Sequence, residues 1–145
     1  MKLKSDDFKH EGMIPEKFTC DSDDLSPHLA WDDVPQGTRS FALIMDDPDA
    51  PMGTWVHWLV GNIPPSVREI PRNVVPPNAV QVSNDFGKVN YGGPCPPRGT
   101  HRYFFKLYAL NIDTVTGVKD KRGFYAFVEK HKIAEAVLMG RYKRK

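Results

Sequence analysis

Residues 46–58, DDPDAPMGTWVHW, bring three aspartates, two tryptophans and a histidine into one short segment. Carboxylates beside an imidazole are the residue types of a metal site, an acid–base pair or an anion pocket. The same letters also make a common turn, because Asp hydrogen-bonds its own backbone and Pro restricts φ. On this segment alone the turn is the favoured interpretation, and the other elements have to distinguish the functional alternatives.

Two predicted strands place histidines beside aromatic residues. TWVHWLVGNI and HRYFFKLYALNI are rich in β-branched and aromatic residues, as strands are. Side chains two positions apart share a face of a strand, so Trp55 lies beside His57 and His101 beside Tyr103. Each pair stands near the N-terminal end of its strand. The two pairs are therefore expected to meet at one end of a sheet.

A loop rich in glycine and proline, YGGPCPPRGT, runs directly before His101. Such loops expose backbone N–H groups, which can form an anion-binding nest, but any tight turn can also use them. A histidine on a half-buried strand is likewise more often a hydrogen-bonded core residue than a ligand. The functional interpretation gains its weight from the co-occurrence of these features in one order along the chain.

The remaining segments predict a fold with strands first and helix last. SFALIMDD is typical of a short buried strand, a further strand is expected near Val80–Val82, and the region around it is punctuated by Asn, Gly and Pro. HKIAEAVLMG has helical spacing and ends at Gly140, a plausible residue just past a helix C-terminus. DKRGFYAFVEK is a weaker candidate for a preceding helical turn, because it contains Gly123. The pattern indicates a β-rich fold with a C-terminal helical cap.

Length and composition indicate one domain, residues 1–145, of ordinary globular character, with 40% hydrophobic and 26% charged residues. The net charge of +2 and the scattered basic residues argue against a nucleic-acid partner. No apolar run is long enough for a membrane span or a signal peptide, so we expect a cytoplasmic protein. In that compartment Cys20 and Cys95 are expected to be free thiols; a bridge between them is the alternative.

Three segments together, DDPDAP, GTWVHWLVGNIP and YGGPCPPRGTHRYFFKLYAL, resemble the phosphatidylethanolamine-binding protein family, in particular its bacterial and archaeal Raf-kinase-inhibitor-like branch. The resemblance covers nearly the whole chain. It implies a mainly β fold: a large central antiparallel Greek-key sheet, a smaller second sheet and a C-terminal helix or helices. Inhibition of Raf kinase is not carried over, because the regulatory features of the animal proteins have no counterpart here.

The resemblance also implies a pocket at one end of the large sheet for phosphate, phosphoryl head groups or small carboxylates. Its wall residues, carried over by motif position, are Asp47, Asp49, Trp55, His57, Gly93, Pro94, His101 and Tyr103. Backbone N–H groups around Gly93, both imidazoles and the Tyr103 hydroxyl would donate to the anion. A carboxylate beside an anion is repulsive, so Asp47 is expected either to share a proton or to orient a histidine. Asp49 is expected to shape the loop.

Three functional classes stay open. The favoured one is a binding protein without enzymatic activity or a cofactor, which takes a small anionic ligand and has no integral membrane association. The second is inhibition of a protein partner such as a protease or a kinase. The third and least favoured is a metal-dependent enzyme that uses His57, His101 and Asp47. Two X–Pro bonds, Ala50–Pro51 and Gly93–Pro94, are candidates for the cis form because their loops must turn sharply.

Overall fold

Two antiparallel sheets and one helix make up the protein, described here as a computed structural model of residues 1–145. The strands are β1 (Lys2–Lys4), β2 (Leu29–Asp32), β3 (Ser40–Asp47), β4 (Trp55–Ile63), β5 (Glu69–Ile70), β6 (Val80–Val82), β7 (His101–Leu110) and β8 (Lys132–Tyr142). The helix α1 spans Lys121–His131, and a 3-10 turn spans Glu16–Phe18. No helix is both long and apolar enough to cross a membrane.

The larger sheet has five strands in the order β6-β4-β3-β7-β8, and the smaller has three in the order β1-β2-β5. From β3 the chain turns back as β4, joins the small sheet as β5, and returns beside β4 as β6. It then crosses to the other side of β3 as β7. A long return of this kind is characteristic of Greek-key sheets. The expected fold class is confirmed.

The central strand β3 is buried along its whole length because both faces of the large sheet are covered. Phe41, Leu43 and Met45 point into the main core, 20 buried residues between the two sheets. Ala42 and Ile44 point the other way, into a cluster of 8 buried residues beneath α1. Burying one such side chain stabilises the fold by about 1.5–3 kcal/mol. The two-sided core therefore holds the end of β3 rigidly in place.

The helix predicted in HKIAEAVLMG is wrong, because this segment forms β8 and pairs with β7 from His101 to Leu110. Its spacing fits a helix, but β7 would otherwise expose an unpaired edge, and pairing buries Ala136 and Leu138. Gly140 is a strand residue rather than a cap. A Cβ there would lie 2.5 Å from Ile14 Cγ1, so packing requires glycine at this position.

The weaker candidate, DKRGFYAFVEK, is the actual helix. Asp120 is its N-cap, and its side chain accepts a hydrogen bond from the Gly123 N–H at 2.8 Å. Gly123 therefore donates at the first turn instead of interrupting the helix. Phe124 and Val128, one turn apart, are its buried residues.

The expectation of free thiols is also wrong: Cys20 and Cys95 form a disulfide that leaves no free cysteine. That expectation came from an assumed reducing compartment, whereas the fold brings the two Cα atoms to 5.4 Å, within bonding geometry. There are no cis peptide bonds. The Ala50–Pro51 and Gly93–Pro94 bonds, both candidates for the cis form, are trans.

Candidate functional site

A pocket of about 310 Å³ opens where β3 ends and where β4 and β7 begin. The antiparallel register places these ends side by side, since Asp47 pairs with Trp55 and Asp46 with Phe104. The pocket therefore lies at one end of the large sheet, where the two His–aromatic pairs were predicted to meet. Five of the eight residues implied by the resemblance line it: Asp47, Trp55, His57, His101 and Tyr103.

The other three implied residues, Asp49, Gly93 and Pro94, do not line it. The rest of the wall comes from residues that the sequence did not single out: Ala50, Pro51, Phe86, Cys95, Pro96 and Pro97. That any of these residues binds a ligand stays a prediction.

His101 and Asp47 form a buried pair. The Nδ1 of His101 lies 2.7 Å from Oδ2 of Asp47, and both side chains are almost fully enclosed. The other carboxylate oxygen accepts the Asp49 N–H at 2.7 Å. Of the two roles expected for Asp47, the geometry matches the second, orientation of a histidine. The Nε2 of His101 is the ring nitrogen left for a ligand.

His57, on β4, is held in a similar way by the glycine loop. Its Nδ1 donates to the Gly92 carbonyl at 2.6 Å, and the Gly92 N–H donates back to the His57 carbonyl at 3.1 Å. Burial lowers the pKa of His57, although the Gly92 carbonyl and the Asp47 charge act in the opposite direction. A neutral His57 with its proton on Nδ1 presents a lone pair at Nε2.

Tyr103 is fully buried, and its hydroxyl has no hydrogen-bond partner. Burial raises the pKa of this phenol, and the Asp47 charge raises it further. The N–H of Cys95 faces the phenol and opposes this shift, but it does not reach hydrogen-bond geometry. An unpaired buried hydroxyl costs about 1–3 kcal/mol, so Tyr103 lowers the stability of the fold as it stands.

The two neighbouring aspartates act outside the pocket. Asp49 accepts three hydrogen bonds from Arg102: from its backbone N–H and Nε at 2.9 Å, and from Nη2 at 2.8 Å. Asp49 thus fixes the β3–β4 loop to the start of β7, the shaping role expected for it. Asp46, buried on the helix side, accepts from Lys106 at 3.0 Å and from the Tyr125 hydroxyl at 2.6 Å. The consecutive residues Asp46 and Asp47 therefore make their hydrogen bonds on opposite faces of the sheet.

The Asp49–Arg102 contact predicts a pH-dependent contribution to stability. Arg102 lowers the pKa of Asp49 to about 2. Because this folded-state pKa is depressed, the stabilisation is present above the unfolded carboxyl pKa of about 4 and is lost as the pH falls through about 2. We expect Asp49→Asn to lower the free energy of unfolding at neutral pH by about 1 kcal/mol, after allowance for solvent screening.

Urea unfolding of Asp49→Asn and the unmodified protein between pH 7 and about pH 2 measures this effect. The difference between the two should narrow as the pH falls below about 4. Asp113→Asn is the matched control, because Asp113 also pairs with an arginine, Arg39, but both side chains are more than half exposed. A loss in Asp49→Asn that is equal at all pH values would contradict the assignment.

Two N–H groups of the predicted backbone nest at the glycine loop are already engaged within the protein. The Gly93 N–H donates to Asp24 Oδ1 at 2.9 Å and the Gly92 N–H to the His57 carbonyl, so neither is available to an anion. A Cβ on Gly93 would lie 2.3 Å from the Phe18 carbonyl oxygen. The loop needs glycine here because it approaches the N-terminal segment closely. The Pro94 carbonyl adds a hydrogen bond to that segment, accepting the Cys20 N–H at 3.1 Å.

Phe86 is the most prominent wall residue that sequence reasoning missed. Its ring contacts Trp55 and His57 edge-on, at centroid distances of 5.5 and 5.2 Å. The buried Asn84 holds it there, accepting the Phe86 N–H at 2.9 Å through its side chain. The letters SNDFGK predict a turn, but nothing in them says which way its aromatic side chain faces.

The residues of the metal alternative do not form a metal centre. Asp47 is directed at Nδ1 of His101, so its carboxylate and the two imidazoles do not converge on a common point. No group of three or more His, Cys, Asp or Glu residues anywhere in the protein could hold a metal ion.

Comparison with known proteins finds similarity to one protein family. A family model described as phosphatidylethanolamine-binding protein matches residues 4–143. A UPF0098 protein of Aquifex aeolicus is 46% identical, over 99% of this chain and 89% of the relative. One of Methanothermobacter thermautotrophicus is also 46% identical, over 99% of both chains. Among solved structures, Escherichia coli YbcL, described as a new member of the mammalian PEBP family, superimposes with a TM-score of 0.94 at 34% identity. That match covers 99% of this chain and 98% of YbcL.

Proposed function

The chain belongs to the phosphatidylethanolamine-binding protein family, and from that premise we propose that it is a non-enzymatic binding protein for a small anionic group. The group would be phosphate, a phosphoryl head group or a small carboxylate. One observation carries the proposal: two histidines whose Nδ1 atoms are already bound line one pocket, together with Tyr103, whose buried hydroxyl has no partner.

The dimensions and walls of the pocket support a small ligand. Its volume of about 310 Å³ is at the lower end of the range for small-molecule sites, enough for a head group. Trp55, Phe86 and the prolines make the rest of the lining largely apolar. Apolar walls lower the local dielectric constant and strengthen each hydrogen bond to the ligand.

The absence of an activated nucleophile favours binding over catalysis. Cys95, the one cysteine in the pocket wall, is bonded to Cys20. Asp47, the one lining carboxylate, has both oxygens engaged by hydrogen-bond donors. Covalent catalysis needs a nucleophile beside a free base, and the lining has no such pair.

An NMR titration of the histidine resonances tests the proposal directly. Inorganic phosphate, phosphoethanolamine and acetate at millimolar concentrations should each produce saturable shifts at His57 and His101. His10 and His131, outside the pocket, are internal controls and should move only with pH and ionic strength. If none of the three ligands shifts His57 or His101 beyond these controls, the proposed function is wrong.

A further inference from the structure

The hydrogen bonds at the two imidazoles determine what the pocket offers a ligand. Each Nδ1 faces an acceptor that cannot donate: the Asp47 carboxylate at 2.7 Å for His101 and the Gly92 carbonyl at 2.6 Å for His57. In a neutral ring the single proton must therefore lie on Nδ1. Both Nε2 atoms then carry lone pairs, so they accept hydrogen bonds from a ligand instead of donating them.

The charges around the rings have the same consequence. Six ionisable groups act through their charge on the imidazoles or on the groups beside them: Asp46, Asp47, Asp49, Arg102, Tyr103 and Tyr142. Arg102, the only cation among them, is paired with Asp49, and Asp46 is bound to Lys106. Asp47 thus remains as a buried negative charge beside the pocket. A fully deprotonated anion in the pocket would meet this charge and two lone pairs.

We propose that the pocket binds its anion together with about one proton, and so selects an acid group that still carries an O–H over one that has none. This inference rests on the proposed function and names the ligand chemistry of the same site. The proton that accompanies the anion can occupy either of two positions. It stays on the ligand, whose O–H donates to an Nε2, or it moves to Nε2 of His101, whose imidazolium is then paired with Asp47.

Phosphate and sulfate form a matched pair for this selection, because both are tetrahedral oxyanions of similar size. Hydrogen phosphate keeps one O–H at about pH 8, whereas sulfate has none. At that pH hydrogen phosphate brings its own proton to the pocket, whereas sulfate must acquire one there. A site built around polar partners strongly rejects an analogue that leaves them unpaired. We expect phosphate to bind at least about tenfold more tightly than sulfate at pH 8.

Isothermal titration calorimetry of the unmodified protein with sodium phosphate and sodium sulfate, at equal ionic strength, measures this ratio. Repeating the titrations in buffers with different heats of ionisation gives the number of protons taken up. Sulfate should bind only with net proton uptake and should weaken steeply as the pH rises from about 6 to 8. Equal affinities at pH 8 with no proton uptake would overturn the inference but leave the proposed function intact.

Asp47→Asn provides a test in which binding increases. The amide oxygen can still accept the Asp49 N–H, while the amide nitrogen donates to Nδ1 of His101. That contact places the proton of a neutral His101 on Nε2, as a donor, and it also removes the buried charge. We expect sulfate affinity to rise and the phosphate preference to fall towards one.

Asp113→Asn removes an equal charge at the exposed Arg39 pair and should leave the ratio unchanged. A folded Asp47→Asn protein that keeps the full preference for phosphate would contradict the role of Asp47. The proton count of the unmodified protein tests the inference even if this variant does not fold. Failure of both anions to bind the unmodified protein would instead contradict the proposed function.

Discussion

His101→Ala is expected to reduce phosphate affinity by at least about 30-fold, which removes detectable binding at millimolar concentrations. The substitution deletes one of the two ring nitrogens available to the ligand. It also leaves the buried Asp47 carboxylate without the partner that lies 2.7 Å away. The anion then loses a hydrogen bond and meets an uncompensated negative charge. A charge-assisted hydrogen bond contributes about 1.5–3 kcal/mol, and the repulsion adds to that loss.

Calorimetric titration with phosphate measures the loss, and urea unfolding establishes that the variant is folded. Some destabilisation is expected, because an unpaired buried charge is costly. His131→Ala is the matched control, since His131 lies at the end of α1, beside Asn111 and so at the opposite end of β7. It should bind phosphate normally. Phosphate binding by His101→Ala with unchanged affinity would refute the pocket.

The same variant separates the proposed function from inhibition of a protease or kinase. An interface outside the pocket does not depend on His101, so an inhibitory effect on a partner enzyme would survive the substitution. An effect lost together with phosphate binding would instead assign inhibition to the pocket.

Removal of the disulfide is expected to have the largest effect on stability. The bond joins residues 75 positions apart, so breaking it releases a long loop in the unfolded chain. The loop-closure entropy for this length corresponds to about 4 kcal/mol. That is a large part of the 5–15 kcal/mol typical of a whole domain. The double variant Cys20→Ser and Cys95→Ser should lose about this much free energy of unfolding.

Urea unfolding of the oxidised protein, the reduced protein and the double serine variant tests this. Cys20 is exposed, so a thiol reductant can reach the bond. The two forms without the bond should unfold at the same, lower urea concentration, which separates loss of the cross-link from effects of the serine side chains. Reduction that leaves the unfolding midpoint unchanged would show that the bond contributes nothing to the folded state.

The strands that carry the site were predictable because their signals are local. SFALIMDD coincides with β3, and the aromatic and β-branched runs of β4 and β7 locate those strands to within two residues. Side chains alternate between the two faces of a strand with a period of two. The positions of Trp55 beside His57 and of His101 beside Tyr103, each on one face, therefore follow from residue numbering alone. These two pairs are the part of the pocket that alternation predicted, and Asp47 was implied by the family resemblance.

The errors have a common cause, since each depended on a partner distant in the chain. The segment that forms β8 has helical spacing, and only the free edge of β7 makes it a strand. The glycine loop has the composition of an anion-binding loop, but Asp24, 69 residues away, accepts the Gly93 N–H. Composition favoured free thiols, whereas the fold brings Cys20 against Cys95.

The sequence by itself determined a β-rich fold, the strands of the site and the residue types at the end of the sheet, because periodicity and local propensity encode them. The Greek-key arrangement was what the family resemblance implied. Only the tertiary structure decided what those residues can do. Asp47 orients His101 instead of facing the ligand with free oxygens, the Gly92 carbonyl fixes the proton of His57, and the Tyr103 hydroxyl is left unpaired. Hydrogen-bond partners come from distant segments, and the positions of their protons depend on geometry that a one-dimensional pattern does not contain.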